Sequence, residues 1–166
     1  MDSSELKAVQ APRKARYRED PQAALVTLHA EGTLGAENVS CSVATGRALV
    51  EAGLHPATGG TGLLACSGDM LLEALVACAG VTLRAVAMSL GLAVAGSVRA
   101  EGDLDFRGTL GVAKGEDVPV GFTAIRLRFA LEHDEDEEAI AKLIELTERY
   151  CVVFQTLTGG VPVEVS

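Results

Sequence analysis

The sequence has no tryptophan, two tyrosines and four phenylalanines, so aromatics make up 4% of its 166 residues. A core built from it must rest on Leu, Val, Ile and Ala. Basic residues are few as well: 14 Lys+Arg stand against 23 Asp+Glu, a formal net charge of −9. No Lys/Arg cluster offers a track for phosphates, which argues against a nucleic-acid partner. Long hydrophobic runs are missing. The longest, Ala74 to Leu83, is bounded by Glu73 and Arg84 and falls short of the roughly 20 residues that a membrane span needs. The opening MDSSELKAVQ has no apolar signal core. These absences predict a soluble, cytoplasmic protein that does not associate with membranes. Metal-site spacing is lacking too: there is no CxxC and no HxxxH, and His29, His55 and His133 are scattered. No metal and no organic cofactor is expected.

What the sequence does have is 48% hydrophobic and 22% charged residues, the balance of one globular domain over residues 1–166. Alternating patterns predict strands over Lys14–Glu19, Ala24–Gly32 and Val39–Leu49, the last with Gly46 as a bulge. A glycine-rich loop, His55–Gly68, follows. Its GGTG is no phosphate loop, because the Lys-Ser/Thr ending is absent. Asp69–Leu90 reads as one long helix, capped by Asp69 or Ser67 and ended by Gly91. Apolar residues occupy nearly all of its circumference, and a chain of this size has little to bury it with, which points to a second subunit. Strands are predicted over Leu92–Glu101, Leu104–Val112 and Gly121–Leu131. A second helix runs from the acidic Asp134–Glu138 to about Thr156, with Ile140, Ile144, Thr147, Cys151 and Phe154 on one stripe. Gly159–Gly160 breaks it and Val161–Val165 closes the chain as an edge strand. The order β-β-β-α-β-β-β-α-β is that of an α+β fold.

In a reducing compartment, Cys41, Cys66, Cys78 and Cys151 are candidates for chemistry before they are structural staples. Cys78 and Cys151 each fall mid-helix on an apolar stripe, where cysteine also serves as a small buried hydrophobe. A redox pair needs more. One thiol must be ionised, which at a mid-helix position calls for a neighbouring cation, and the second must lie within about 7 Å, Cα to Cα. Cys66, in the glycine-rich loop, is an alternative partner for Cys78, and Cys41 sits on a strand face. Arg47 stands on a mostly apolar strand, where it either reaches water from an edge or pairs with a thiolate.

The segment GDMLLEALVACAGVTLRAVA, the helix ending TERYCVVFQTL and the closing PVEV resemble the OsmC/Ohr family of osmotically inducible and organic-hydroperoxide-resistance proteins. The best marker is a nearly apolar helix with Cys78 at its middle and a second helical cysteine 73 residues later. The resemblance implies an intertwined homodimer, with antiparallel sheets around two central helices. It implies a thiol-dependent peroxidase that reduces organic hydroperoxides in oxidative-stress defence. Cys78 would be the peroxidatic cysteine and Cys151 the resolving one, with an external dithiol as reductant. A strand arginine, assigned to Arg47 ahead of Arg16 and Arg18, would hold the thiolate. Gly68 falls where the family has a glutamate that holds this arginine, so Asp69 would substitute from the next position. Val152 follows Cys151 where the family often has proline. The other reading is a non-catalytic dimer of the same fold that binds an apolar small molecule.

Overall fold

A computed structural model of the chain describes residues 32–34, 40–44, 49–111 and 117–166, with a few further positions before residue 20. The predicted strands Lys14–Glu19 and Ala24–Gly32 therefore lie almost wholly outside the described residues. The first sheet has four short strands, β1 (Gly32–Leu34), β2 (Ser40–Ala44), β3 (Leu49–Gly53) and β4 (Ala65–Cys66), in that spatial order. β4 joins β3 in parallel, and the other pairs are antiparallel. The single strand expected over Val39–Leu49 is instead two, with Ala44 of β2 paired antiparallel to Leu49 of β3. Gly46, expected as a bulge, lies outside the described residues.

From β4 the chain enters α1 (Ser67–Leu90) directly. Ala, Leu and Met favour the helix, and Gly91 ends it in the left-handed region at φ 76°, its N–H reaching the carbonyls of Ala87 and Met88. The cap residue is Cys66, without a side-chain capping bond; Asp69 sits inside the first turn and Ser67 is already helical. After α1 come β5 (Val94–Leu104), a one-turn α2 (Phe106–Thr109), β6 (Phe122–His133), α3 (Glu137–Tyr150) and α4 (Val152–Gly159). The strand expected at Leu104–Val112 is thus a helical turn, started by the Asp105 side chain accepting from the Arg107 N–H. Val161–Val165 is not a strand either; among the described residues it pairs with nothing, and Val163 and Val165 are 87% and 96% exposed.

β5 and β6 form a second, two-stranded antiparallel sheet that pairs Val94 with His133 at one end and Leu104 with Phe122 at the other. Strict alternation divides its faces. Val98, Ala100, Ile125, Leu127 and Phe129 face α1, while Arg99, Glu101, Asp103, Arg126 and Arg128 face outward, where Glu101 is within 3.1 to 3.7 Å of all three arginines. α1 packs against both this sheet and the α3–α4 pair. Its buried line is Leu75, Ala79, Leu83 and Ala87, one residue per turn, and α3 answers with Leu143 and Thr147, both fully buried. Leu143 had no place in the predicted stripe, of which Thr147 and Cys151 are buried while Ile140, Ile144 and Phe154 are half-buried.

The opposite face of α1 is uncovered. Ala74 and Ala77 are exposed and Val81 is 72% exposed. By length and composition the 24 residues of α1 suffice to cross a membrane, which the shorter run Ala74–Leu83 understated. In this fold the buried line of α1 packs against β5, β6, α3 and α4.

Candidate active site

Halfway along α1, Cys78 is half-buried beside Leu75 and Ala79, and the inward residues of β5 and β6 close over the cluster. Cys151 enters the same cluster from the other side, 1% exposed. It is not mid-helix. The expected single helix stops at Tyr150 and restarts at Val152, and Cys151 is the joint, extended at φ −76° and ψ 109°. Its N–H donates to the Thr147 carbonyl at 2.9 Å, and its carbonyl accepts from the Gln155 N–H at 2.9 Å. It therefore closes one helix and opens the next. The local reason is composition: Tyr150, Cys151, Val152 and Val153 are four consecutive poor helix formers, two of them β-branched.

The joint sets the start of α4 against the Cys78 cluster, with Val153 and Phe154 packed in it. Burial pushes the Cys78 thiol up, but the polar surroundings from the backbone at Val153 and Val152, the Cys151 thiol and the Thr82 hydroxyl outweigh it and hold the thiol below the usual cysteine range. Cys151 goes the other way. Burial pushes it up, the neighbouring Cys78 adds to the rise, and the N–H groups of Phe154 and Val153 offset only part. The pair is differentiated: one sulfur suited to be thiolate, the other thiol, in contact. Both are free thiols, as is Cys66.

A cation beside the thiolate was the expected device. Among the described residues the charged side chains of β5 and β6 alternate onto the far face of the sheet. Arg47, Arg16 and Arg18 lie outside the described residues. Asp69 is exposed in the first turn of α1, nine residues or about 14 Å of helix axis from Cys78. It borders a different concavity, of about 360 Å³, with His55, Cys66, Asp103, Phe106 and Phe122. His55 stacks on Phe106 there, with ring centroids 4.8 Å apart. Cys66, the cap residue twelve positions before Cys78, is about 18 Å away along the helix axis, so a Cys66–Cys78 disulfide within one chain is ruled out. Cys41 lies in β2, in register with Ala52. Of the predicted apolar neighbours of Cys78, Leu75 and Phe154 are in its cluster, whereas Val81 is on the uncovered face.

Sequence reasoning missed the break at Cys151 that sets the start of α4 beside Cys78, for which the signal was the four-residue run of weak helix formers.

A family model described as OsmC-like protein matches residues 60–166. No curated protein matches the chain. Among solved structures, an OsmC-like protein from Mycoplasma pneumoniae superposes with a TM-score of 0.66 at 16% identity, covering 81% of this chain and 89% of that one. An organic hydroperoxide resistance protein OsmC from Legionella pneumophila gives 0.60 at 22% identity, over 84% and 95%. The organic hydroperoxide resistance protein OhrB of Bacillus subtilis gives 0.54 at 18%, over 82% and 96%. These likenesses carry the α+β fold. With the family model spanning most of the chain, from the glycine-rich loop through α1 and both cysteines, the chain belongs to the OsmC-like protein family.

Proposed function

We propose that the protein is a thiol-dependent peroxidase that reduces organic hydroperoxides to alcohols in oxidative-stress defence. The observation that carries this reading is the contact between a thiol held low, Cys78, and one held high, Cys151. Two solved relatives of this fold are named organic hydroperoxide resistance proteins, which supports the same direction.

The Cys78 thiolate attacks the distal oxygen of ROOH. An S–O bond forms, the O–O bond breaks, and the alkoxide leaves and takes up a proton as ROH. Cys151 then attacks the sulfenic sulfur; an S–S bond forms and water departs. An external dithiol returns both thiols by exchange and carries away the two oxidising equivalents as its own disulfide. Val98, Ile125, Leu127, Phe129 and Phe154 make the surroundings apolar, which favours an organic over a small polar peroxide. In this reading Arg47 supplies positive charge as the O–O bond breaks and Asp69 orients it; no metal or organic cofactor takes part. The working unit is a cytoplasmic homodimer, in which the uncovered face of α1, with Ala74, Ala77 and Val81, meets a second copy.

Peptide mass mapping of the reduced protein, before and after about one equivalent of an organic hydroperoxide, tests the reading. A rapid Cys78–Cys151 disulfide is expected. Four unchanged thiols would overturn it and favour the same fold as a non-catalytic dimer that binds an apolar small molecule.

A further inference from the structure

The concavity beside the first turn of α1 has a construction of its own. Phe122, the first residue of β6, lines it with a ring that lies over Gly102 of β5. A Cβ on Gly102 would stand 2.4 Å from that ring, so a side chain at this position would push Phe122 away. The stacked rings of His55 and Phe106 line it as well. His55 is held by its own turn. Its carbonyl accepts from the N–H groups of Thr58 and Gly60 and from the Thr58 hydroxyl, and its Nδ1 accepts from the Ala57 N–H at 3.1 Å. Phe106 begins α2, where the Asp105 side chain caps the turn. Rings fixed in advance by backbone turns lose little freedom when a ligand arrives.

Gly68 keeps the space between these groups open. It is the second residue of α1, and its φ is outside the left-handed region. A Cβ there would meet Phe122 at 3.5 Å, the Cys66 sulfur at 3.6 Å and Leu104 at 3.7 Å, all ordinary contacts. Alanine would therefore fit, and it is the better helix former. Neither backbone nor packing calls for glycine here; an unfilled cavity does. Its volume, about 360 Å³, falls at the lower end of the range that holds small molecules, about 300–1,000 Å³.

We propose that this cavity is a binding site for an uncharged aromatic molecule of one or two fused rings, which stacks on Phe122 and on the His55–Phe106 pair. The Cys66 sulfur is a soft neighbour for a ring edge. Asp69 and Asp103 are exposed where they border the cavity, and their carboxylates disfavour an anionic ring. Asp103 is bound through both oxygens by Arg126. The site is separate from the thiol pair and stands whatever Cys78 attacks.

Indole is the probe. The chain has no tryptophan, so indole emission is read without an indole background from the protein. Titration with the reduced full-length protein is expected to shift that emission to shorter wavelength and to saturate, with a half-saturation point below about 1 mM. Saturating indole should also slow alkylation of Cys66 by iodoacetamide at least about threefold while Cys78 keeps its rate. Peptide mass spectrometry after cleavage at Glu73 separates the two cysteines. Gly68→Leu, which fills the cavity with a good helix former, should weaken indole binding at least about tenfold, and Phe106→Leu about three- to tenfold. No saturable shift, alkylation of Cys66 that indole does not slow, or a folded Gly68→Leu that binds like the parent overturns the proposal. Should Gly68→Leu not fold, Gly68→Ala gives the same reading, with an expected loss of about threefold. No peroxide enters the test, so its failure is distinct from failure of the peroxidase reading.

Discussion

At Cys78 two opposing influences meet: an apolar shell that raises a thiol's pKa, and polar groups of α1 and of the α3–α4 joint that lower it, with the second prevailing. Cys78→Ser is expected to abolish steady-state hydroperoxide consumption, losing at least about a thousandfold in rate, as measured by coupled dithiol oxidation. Cys151→Ser should permit one oxidation per chain and then stall, with over-oxidised Cys78 visible by mass. Stability follows the same sign. A depressed folded pKa contributes stability that is present above the ordinary cysteine value and lost as pH falls through the folded one. The deficit of Cys78→Ala in urea midpoint against the parent should therefore widen as pH rises through that interval. Of this site, the two thiols were legible because cysteine in an apolar helix stands out by type. The break at Cys151 was not, because a run of weak helix formers does not say at which residue a helix stops.

The elements were legible where a single periodicity ran long enough. α1 and its end at Gly91 follow from an unbroken apolar pattern and one glycine, and β5 and β6 from clean alternation. The misreadings share a cause. A hairpin taken for a bulged strand, a helical turn taken for a strand, and a jointed helix taken for a continuous one all turn on a few residues whose local preference is weak. Two substitutions probe the elements. Gly96 has φ 119°, and a Cβ there would lie 2.0 Å from the Ala130 carbonyl oxygen on β6. Gly96→Ala should cost about 1–3 kcal/mol by thermal or urea unfolding, since β5 and β6 must separate to admit it. Leu143, fully buried where α3 meets α1, should cost about 2–5 kcal/mol as Leu143→Ala.

For the whole molecule, the proposed second copy answers a specific deficit: α1 has neighbours on one side and exposed Ala74, Ala77 and Val81 on the other. Sedimentation of the parent is expected to give a dimer, and Val81→Glu to give a monomer with thiol chemistry measurable in its own right. That an apolar helix needed more cover than one chain provides was readable from composition; which face lacked it was not, since α1 is apolar almost all round. The joint at Cys151 has one more consequence. The last fifteen residues, α4 and the tail after it, hang from a joint that packs beside Cys78. On the proposed chemistry, a Cys78–Cys151 disulfide would tie that joint covalently to the middle of α1. Amide protons in the first turn of α4 should then trade with deuterated solvent more slowly in the oxidised protein than in the reduced one. The chain's C-terminal end becomes a clock of its redox history, readable without any label on sulfur.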